Sequence, residues 1–336
     1  MARDVLSLAR ELADQVLFPD AMRVDRLDVL PSAHLDELAV AGLYGAPAPI
    51  QAGGLGLDVR EVSAVVEELA GGCLAAAFVL IQHFRLLATL AGQAVRPQLR
   101  DRWLAAACQG RLRSGIALTG LIPGPPRLRA EIAEGGWRLD GTAPWVTGWG
   151  LIDVVEVVAR GPEDTVVTLI MDAAAQPGLS VTRQRLAAVD ASVTVRLGFD
   201  GVVVAPDRFA GQEPFDPAAS VAPAGLRVNG SLALGVAHRC VRLLGASPLD
   251  DELAVCRERL DAALEGGPAA MAAARAAASE LALRAAAALA VRDGASAITV
   301  DAHAQRLARE ALFLLVFGSR PAIKSELAAR LGAAAS

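Results

Sequence analysis

The sequence has few of the residues that usually mark a metal site or a disulfide framework. Its 336 residues include four cysteines and four histidines. The cysteines are Cys73, Cys108, Cys240 and Cys256. They are scattered without C-x-x-C spacing, so they predict neither a metal clip nor disulfide bonds, and we expect buried thiols. No H-x-x-x-H or carboxylate–histidine spacing indicates a metal site, and no serine lies in a nucleophile-elbow pattern.

Signals for nucleic acid, export and membrane insertion are missing as well. The formal net charge is −5, and no basic run interleaved with aromatic residues occurs, which argues against a nucleic-acid partner. The N-terminal segment MARDVLSLARELADQ contains acids and lacks the apolar centre of a signal peptide. No uncharged run approaches the ~18 residues of a membrane span. These absences predict a soluble cytoplasmic protein.

What the sequence does contain is a succession of helical, strand and helical patterns. Turn glycines flank alternating apolar residues between Ser114 and Gly150, and VVEVVA, TVVTLIMDA and SVTVRLGFDGVVV continue the strand pattern. With 54% hydrophobic residues, the chain can form two or three packed units. We predict an α+β protein with a helical bundle at 1–112, an antiparallel β-barrel-like domain at 113–222 and a four-helix bundle at 223–336.

Local signals also predict where helices begin and end. Apolar residues from Val5 to Leu17 follow helical spacing, and Pro19 is expected to end that helix. Gly42 is a candidate C-terminal cap. Asp58 and Asp301 are predicted to cap the N-termini of two later helices.

The strand segment carries motifs that resemble those of a known family. IALTG at 116–120, followed by GGWRLDGTAPWVTG at 135–148, resembles the middle domain of the acyl-CoA dehydrogenase family of flavoproteins. That family shows A-x-T-E-x-x-x-G-S-D and then G-W-x-L-x-G-x-K-x-W-I-T-x-G. Thr119, Trp145 and Thr147 match, whereas Gly120 replaces the glutamate of the first motif, and two prolines stand in place of its Ser-Asp pair. The α–β–α order extends the resemblance over nearly the whole chain, as a divergent, shortened member.

The resemblance implies FAD as the cofactor and an acyl-CoA or other acyl thioester as the substrate. The cofactor contacts it implies are Leu118, Thr119, Trp145, Val146, Thr147, Gly318 and Ser319. We expect substrate contacts at Phe84, Arg227 and Phe317. Two alternatives stay open at this point. Trp145 could be a core residue only. His83 could line a substrate pocket, although a lone histidine in an apolar helix is more often a hydrogen-bonded core residue.

The family's catalytic base has no counterpart at either of its known positions. Most members carry a Glu in a C-terminal Y-E-G-T motif, where this sequence has Phe317. Others place the base one residue before the arginine that opens the first C-terminal helix, which matches Arg227 here and puts Leu226 at the base position. The R-x-x-F-G segment that contacts a neighbouring subunit's FAD is also missing between Leu244 and Gly267.

Three functions are compatible with these observations. The first is a FAD-dependent oxidoreductase acting on CH–CH bonds of an acyl thioester, in fatty acid metabolism. The second keeps the fold and the flavin but uses oxygen on another substrate, which needs no carboxylate base. The third is a non-catalytic subunit that pairs with an active paralogue. The resemblance also implies a homodimer or homotetramer, and we expect the alanine-rich helix at 269–291 to pack against copies of itself.

Overall fold

The computed structural model describes residues 4–93, 95–218, 222–318 and 320–332. The first helical region contains α1 (Val5–Leu12), α2 (Phe18–Val24), α3 (Ser32–Val40), α4 (Val59–Gly72), α5 (Leu74–Ala91) and α6 (Pro97–Cys108). The strands are β1 (Ser114–Ala117), β2 (Leu128–Ala133), β3 (Gly136–Val146), β4 (Val154–Arg160), β5 (Thr165–Asp172), β6 (Leu179–Arg183), β7 (Val195–Val204) and β8 (Phe209–Pro214). The last region contains α7 (Pro223–Leu244), α8 (Leu249–Ala262), α9 (Gly267–Asp293), α10 (His303–Val316) and the shorter α11 (Pro321–Leu331).

The strands form one sheet in the order β6-β7-β3-β2-β4-β5-β8, with β1 paired to β4. Most neighbours are antiparallel, as predicted, but β1 runs parallel to β4, and β2 meets β4 through the single parallel pair Arg129–Arg160. Every residue of β4 is buried, because β1 and β5 flank it and helices cover its face. The alternation predicted for β7 is confirmed, with Val195, Leu197 and Phe199 buried.

The prediction that Pro19 ends the first helix is wrong. The chain continues through a π-helical turn at Ala13–Leu17 into α2, in which Pro19 occupies the first turn. Pro19 cannot donate a hydrogen bond to the preceding turn, and the wider π-turn just before it accommodates the ring, so the helix continues. The periodic pattern was therefore a better guide than the proline.

Of the predicted caps, one N-cap is confirmed and the other is wrong. Asp58 accepts hydrogen bonds from the N–H groups of Arg60 and Glu61, and Glu61 completes a capping box. Gly42 follows α3 with a φ of 74°, as a C-terminal cap requires. Asp301 does not cap α10, because the N-cap residue is Ala302 and the Asp301 carboxylate pairs with Arg26.

The alanine-rich helix α9 lies inside the C-terminal bundle. Its buried face includes Ala276, Ala278, Ala282 and Ala285, which pack within the same subunit against the neighbouring helices. This face is therefore covered within the subunit and is not available for packing against a second copy of the helix. Small side chains let helices approach closely, and here they do so within the bundle.

Helix α5 is the apolar centre of the first helical region. By length and composition it could cross a bilayer, but 72% of it is buried within the protein, as in the core helix of a folded domain. The four cysteines are buried and free, as expected.

Candidate functional site

A cavity of 510 Å³ lies where the helical regions meet the sheet. Its lining is mainly apolar and comes from α4, α5, the segment after β1, the start of α7 and the turn after α10. Five residues singled out from the sequence line it together: Phe84, Leu118, Leu226, Phe317 and Gly318. They are far apart in the chain, so only the fold brings them together.

We call Leu226, Phe317 and Gly318 the helical wall of this cavity. Behind it lies an aromatic cluster: the Phe317 ring is stacked on that of Phe313 at 5.5 Å and edge-on to that of Phe78 at 4.9 Å. Aromatic pairs at these distances stabilise beyond the area they bury. At the position where the resemblance would place a carboxylate, the structure has a packed aromatic ring.

Two residues that sequence reasoning missed hold the helical wall in place. The buried Arg275 of α9 donates to the Phe317 carbonyl oxygen at 3.4 Å, and Ser279 donates to the Leu314 carbonyl oxygen at 2.8 Å. A cation at the C-terminus of α10 interacts favourably with the helix dipole. Burial lowers the pKa of Arg275 to about 10, so it stays charged at neutral pH. An arginine and a serine spaced by four residues in an alanine-rich helix were the only sequence signal.

We call Thr119, Trp145, Val146 and Thr147 the strand wall. They do not line the cavity; Val146 and both threonines are buried, whereas the Trp145 side chain is 62% exposed. The alternative of Trp145 as a core residue is therefore wrong. Gly115 links this wall to the cavity, because a Cβ there would lie 2.8 Å from the Thr147 carbonyl oxygen, and the next residue along β1, Ile116, lines the cavity.

A chain of buried hydroxyls lies behind Thr147. Its Oγ1 is 3.2 Å from Thr194 Oγ1, which is 3.3 Å from Ser192 Oγ. The turn carrying Ser192 is strained: Val189 and Val193 have φ values of 53° and 49°. A β-branched residue in the left-handed region is an outlier, and such strain gathers at functional sites.

Close packing explains why a glycine, Gly120, stands where the family motif has a glutamate. A Cβ at this position would lie 2.6 Å from the Ala159 carbonyl carbon, because the turn Thr119–Leu121 packs directly on β4. The buried Arg160 holds that turn by donating to the carbonyl oxygens of Gly120 and Ile122. The departure from the motif therefore follows from close backbone packing.

Two other candidates do not face the cavity. His83 donates from Nε2 to the Ala107 carbonyl oxygen at 3.1 Å and accepts the Ser114 N–H at Nδ1, so it ties α5 to α6 and β1. Burial lowers its pKa to about 4, which keeps it neutral. Arg227, expected to contact substrate, is buried between helices and pairs with Asp261 at 2.6 Å. Ser319, an implied cofactor contact, lies outside the described residues.

The polar side chains among the described lining residues are Gln82, Arg85, Asn229 and Arg320. None of these is a carboxylate or an imidazole, so the described lining contains no obvious proton acceptor. Nor does any group of three or more His, Cys, Asp or Glu side chains in the described part of the chain form a candidate metal site.

The strand wall fits the ring of the FAD that the resemblance implies. An aromatic face left 62% exposed at the end of β3 offers a stacking surface, and buried hydroxyls stand two residues further along. The helical wall and the cavity would then be available for the substrate.

Comparison with known proteins shows similarity to acyl-CoA dehydrogenases in sequence and in fold. Residues 2–111 match the family described as acyl-CoA dehydrogenase, N-terminal domain. Benzylmalonyl-CoA dehydrogenase of Aromatoleum aromaticum is 26% identical over 239 residues, which cover 67% of this chain and 62% of that protein. The match thus spans less than two thirds of the relative's length.

Solved structures match nearly the whole chain in fold. Butyryl-CoA dehydrogenase from Megasphaera elsdenii matches with a TM-score of 0.83 at 21% identity, covering 98% of this chain and 97% of that one. A glutaryl-CoA dehydrogenase from Mycobacterium smegmatis in complex with FADH2 matches with a TM-score of 0.80 at 19% identity, covering 99% and 95%. The predicted order of a helical, a sheet and a second helical region is confirmed.

Proposed function

We propose that this chain is a member of the acyl-CoA dehydrogenase family and a FAD-dependent oxidoreductase that binds an acyl-CoA thioester. The observation that carries the proposal is the 510 Å³ apolar cavity, in which Phe84, Leu118, Leu226, Phe317 and Gly318 come together. A concave, largely apolar site with a few polar groups is what a small-molecule substrate requires. The names of the relatives, which act on CoA thioesters, support the same substrate class.

In this proposal the strand wall contacts the cofactor and the helical wall contacts the substrate. Trp145 would stack on the cofactor ring, with Thr119 and Thr147 near its polar edge, and the helical wall would pack against the acyl chain and exclude water. When bound, FAD supplies the hydride-accepting chemistry, and the protein orients the reacting groups.

The usual base would be missing from this site. Phe317 and Leu226 cannot accept a proton, and the described cavity lining has no carboxylate. A positioned base contributes about 10²–10⁴-fold to rate, so we expect slow dehydrogenation of ordinary saturated acyl-CoA. The same observation favours a second candidate, an oxygen-using flavoenzyme on this fold, whose chemistry needs no such base.

The visible spectrum of the purified protein tests the proposal. We expect a yellow protein whose flavin is bleached slowly by acyl-CoA under anaerobic conditions, and faster in a Phe317→Glu variant. Phe313→Glu is the matched control, because Phe313 belongs to the same ring cluster but does not line the cavity. Bleaching only by an external reductant would favour the oxygen-using enzyme. Absence of flavin binding would favour the non-catalytic subunit and contradict the proposal.

For assembly we propose a homodimer or homotetramer, with a heteromer as the alternative if the chain is non-catalytic. The proposal is supported by the exposed apolar side chains of Val291, Ile298 and Val300 near the end of α9. The alanine face of that helix is covered within the subunit. Light scattering at micromolar concentration should show a mass above that of one chain; a monomer would contradict this.

A further inference from the structure

Among the residues that line the cavity, the cationic side chain of Arg85 has a position that binding of an apolar acyl chain does not explain. Arg85 on α5 lines the cavity and directs its Nε toward Glu156 of β4, with 2.9 Å between Nε and Oε1. Glu156 has no exposed surface, and its Oε1 also accepts the Thr89 hydroxyl at 3.0 Å. A buried carboxylate of this kind needs a cation, and Arg85 supplies it.

The pair joins helix α5, beside the cavity, to the sheet. Glu156 stands directly opposite Ile116 in the parallel β1–β4 ladder, so both side chains leave the same face of the sheet. Ile116 itself lines the cavity. The guanidinium is therefore anchored from the sheet beneath, on a strand that is buried along its whole length.

The contact with Glu156 occupies only one edge of the guanidinium. A guanidinium carries five N–H donors in a rigid planar fork, and Nε accounts for one of them. The contact of Nε with Glu156 is an ion pair without good hydrogen-bond geometry, the two terminal nitrogens of Arg85 form no hydrogen bond with the described residues, and the side chain is 34% exposed. Because Arg85 lines the cavity, the four N–H groups of its terminal nitrogens are available to a ligand there.

We propose that Arg85 selects acyl-CoA thioesters whose acyl chain ends in a carboxylate. The end of the guanidinium would bind both carboxylate oxygens, a geometry that matches its planar fork. Glu156 would act as a positioning residue by holding the Nε edge. This inference rests on the proposed function, since it names the substrate class of the same cavity.

The other polar lining residues favour an acyl chain that ends in an anion over one that ends in a neutral group. Arg320 is a second cationic lining residue, and Gln82 and Asn229 are the other polar ones in the described lining, so the described lining contains no carboxylate that would repel an anion. A neutral alkyl end would leave the donors of Arg85 without acceptors in an enclosed space, which is unfavourable. A site built to bond a charged group discriminates strongly against an analogue that lacks it.

Calorimetric titration of the full chain in the presence of FAD tests the proposal. The probes are glutaryl-CoA and 5-methylhexanoyl-CoA, which replaces the terminal carboxylate by an isopropyl group of the same shape. We expect wild type to bind glutaryl-CoA about 10- to 100-fold more tightly. Arg85→Met should remove this preference, and Arg85→Lys should keep part of it, because the charge remains but the fork is lost.

Two variants separate recognition from folding and from overall charge. Arg85→Met combined with Glu156→Gln avoids an unpaired buried carboxylate and should also lack the preference. Arg102→Met is the matched control, because Arg102 pairs with Asp207 outside the cavity. It removes the same charge and should leave the ratio of the two affinities unchanged.

The outcomes distinguish this inference from the proposed function. Equal affinity of wild type for the two probes would overturn the inference and leave thioester binding intact. Equal weakening of both probes by Arg85→Met would place Arg85 near the CoA moiety and would also overturn it. Binding of neither probe would overturn both the inference and the proposed function.

Discussion

The two walls of the site are built by opposite means. The helical wall is backed by stacked and edge-on phenylalanine rings, and Arg275 holds its backbone from behind. The strand wall has buried hydroxyls and an exposed tryptophan, with its tightest contacts made by the backbone. One wall thus uses its aromatic residues to stabilise the protein, whereas the other presents its aromatic residue outward.

This difference concerns the motifs of the family, which the strand wall matches at Trp145 and Thr147 and the helical wall does not match at Phe317. At Phe317 the side chain contributes packing energy of its own through its ring contacts with Phe78 and Phe313. At Trp145 the exposed ring contributes little to the folded state, and its accessible face is the one for which we propose a cofactor contact. The following substitutions test this contrast, beginning with the largest expected effect.

Phe78→Ala should show that the helical wall is structural. Phe78 is buried and edge-on to both Phe313 and Phe317, so its removal leaves a cavity in the ring cluster. We expect the free energy of unfolding to fall by about 3–5 kcal/mol, measured by urea denaturation. Ile132→Ala, at an exposed position, is the control and should change it by less than about 0.5 kcal/mol. Similar losses in both variants would refute the contrast.

His83 should make the attachment of α5 to α6 and β1 sensitive to acid. Its pKa is lowered to about 4 by burial in the folded state, against about 6.5 when unfolded. Between these values the unfolded chain binds a proton that the folded chain does not, so stability is complete above pH 6.5 and declines toward pH 4. The loss is worth about 3 kcal/mol. The slope of unfolding free energy against pH should be shallower in His83→Gln; an unchanged slope would exclude His83 as the cause.

Gly120→Ala should disturb the strand wall through the backbone alone. The new Cβ would lie 2.6 Å from the Ala159 carbonyl carbon, too close to fit without a shift of the turn that carries Thr119. We expect a loss of about 1–3 kcal/mol in thermal or urea unfolding. Gly211→Ala is the matched control in β8, where a Cβ meets nothing within 4 Å. Equal stability of the two variants would contradict the close packing.

Trp145→Ala should have the smallest effect and should act on the ligand. Loss of ring stacking is worth about 0.5–1.5 kcal/mol, so we expect FAD affinity to fall by about two- to tenfold while the unfolding midpoint changes little. Trp145→Phe should restore most of the affinity. The flavin absorbance after dialysis gives the measurement, and full retention of flavin in Trp145→Ala would mean that the motif is not a cofactor contact.

The sequence by itself determined the features that depend on neighbouring residues. Period-2 and helical patterns predicted the α–β–α order, and Asp58 and Gly42 predicted the ends at which they stand. Trp145 and Thr147 stay predicted cofactor contacts, and the prediction depends on one short motif. Pro19 was misjudged because its effect depends on the π-turn before it, and Asp301 because Arg26, distant in sequence, takes its carboxylate.

Only the tertiary structure decided which polar groups face the cavity and which face the core. The sequence predicts a substrate contact at Arg227 and gives Arg85 no role, but Asp261 holds Arg227 between helices, whereas Arg85 lines the cavity beside Glu156. Arg275 meets the carbonyl of Phe317 across two helices. Burial in a low-dielectric interior requires each charge to find a partner, and that partner is supplied by residues far along the chain, whose proximity no local pattern encodes.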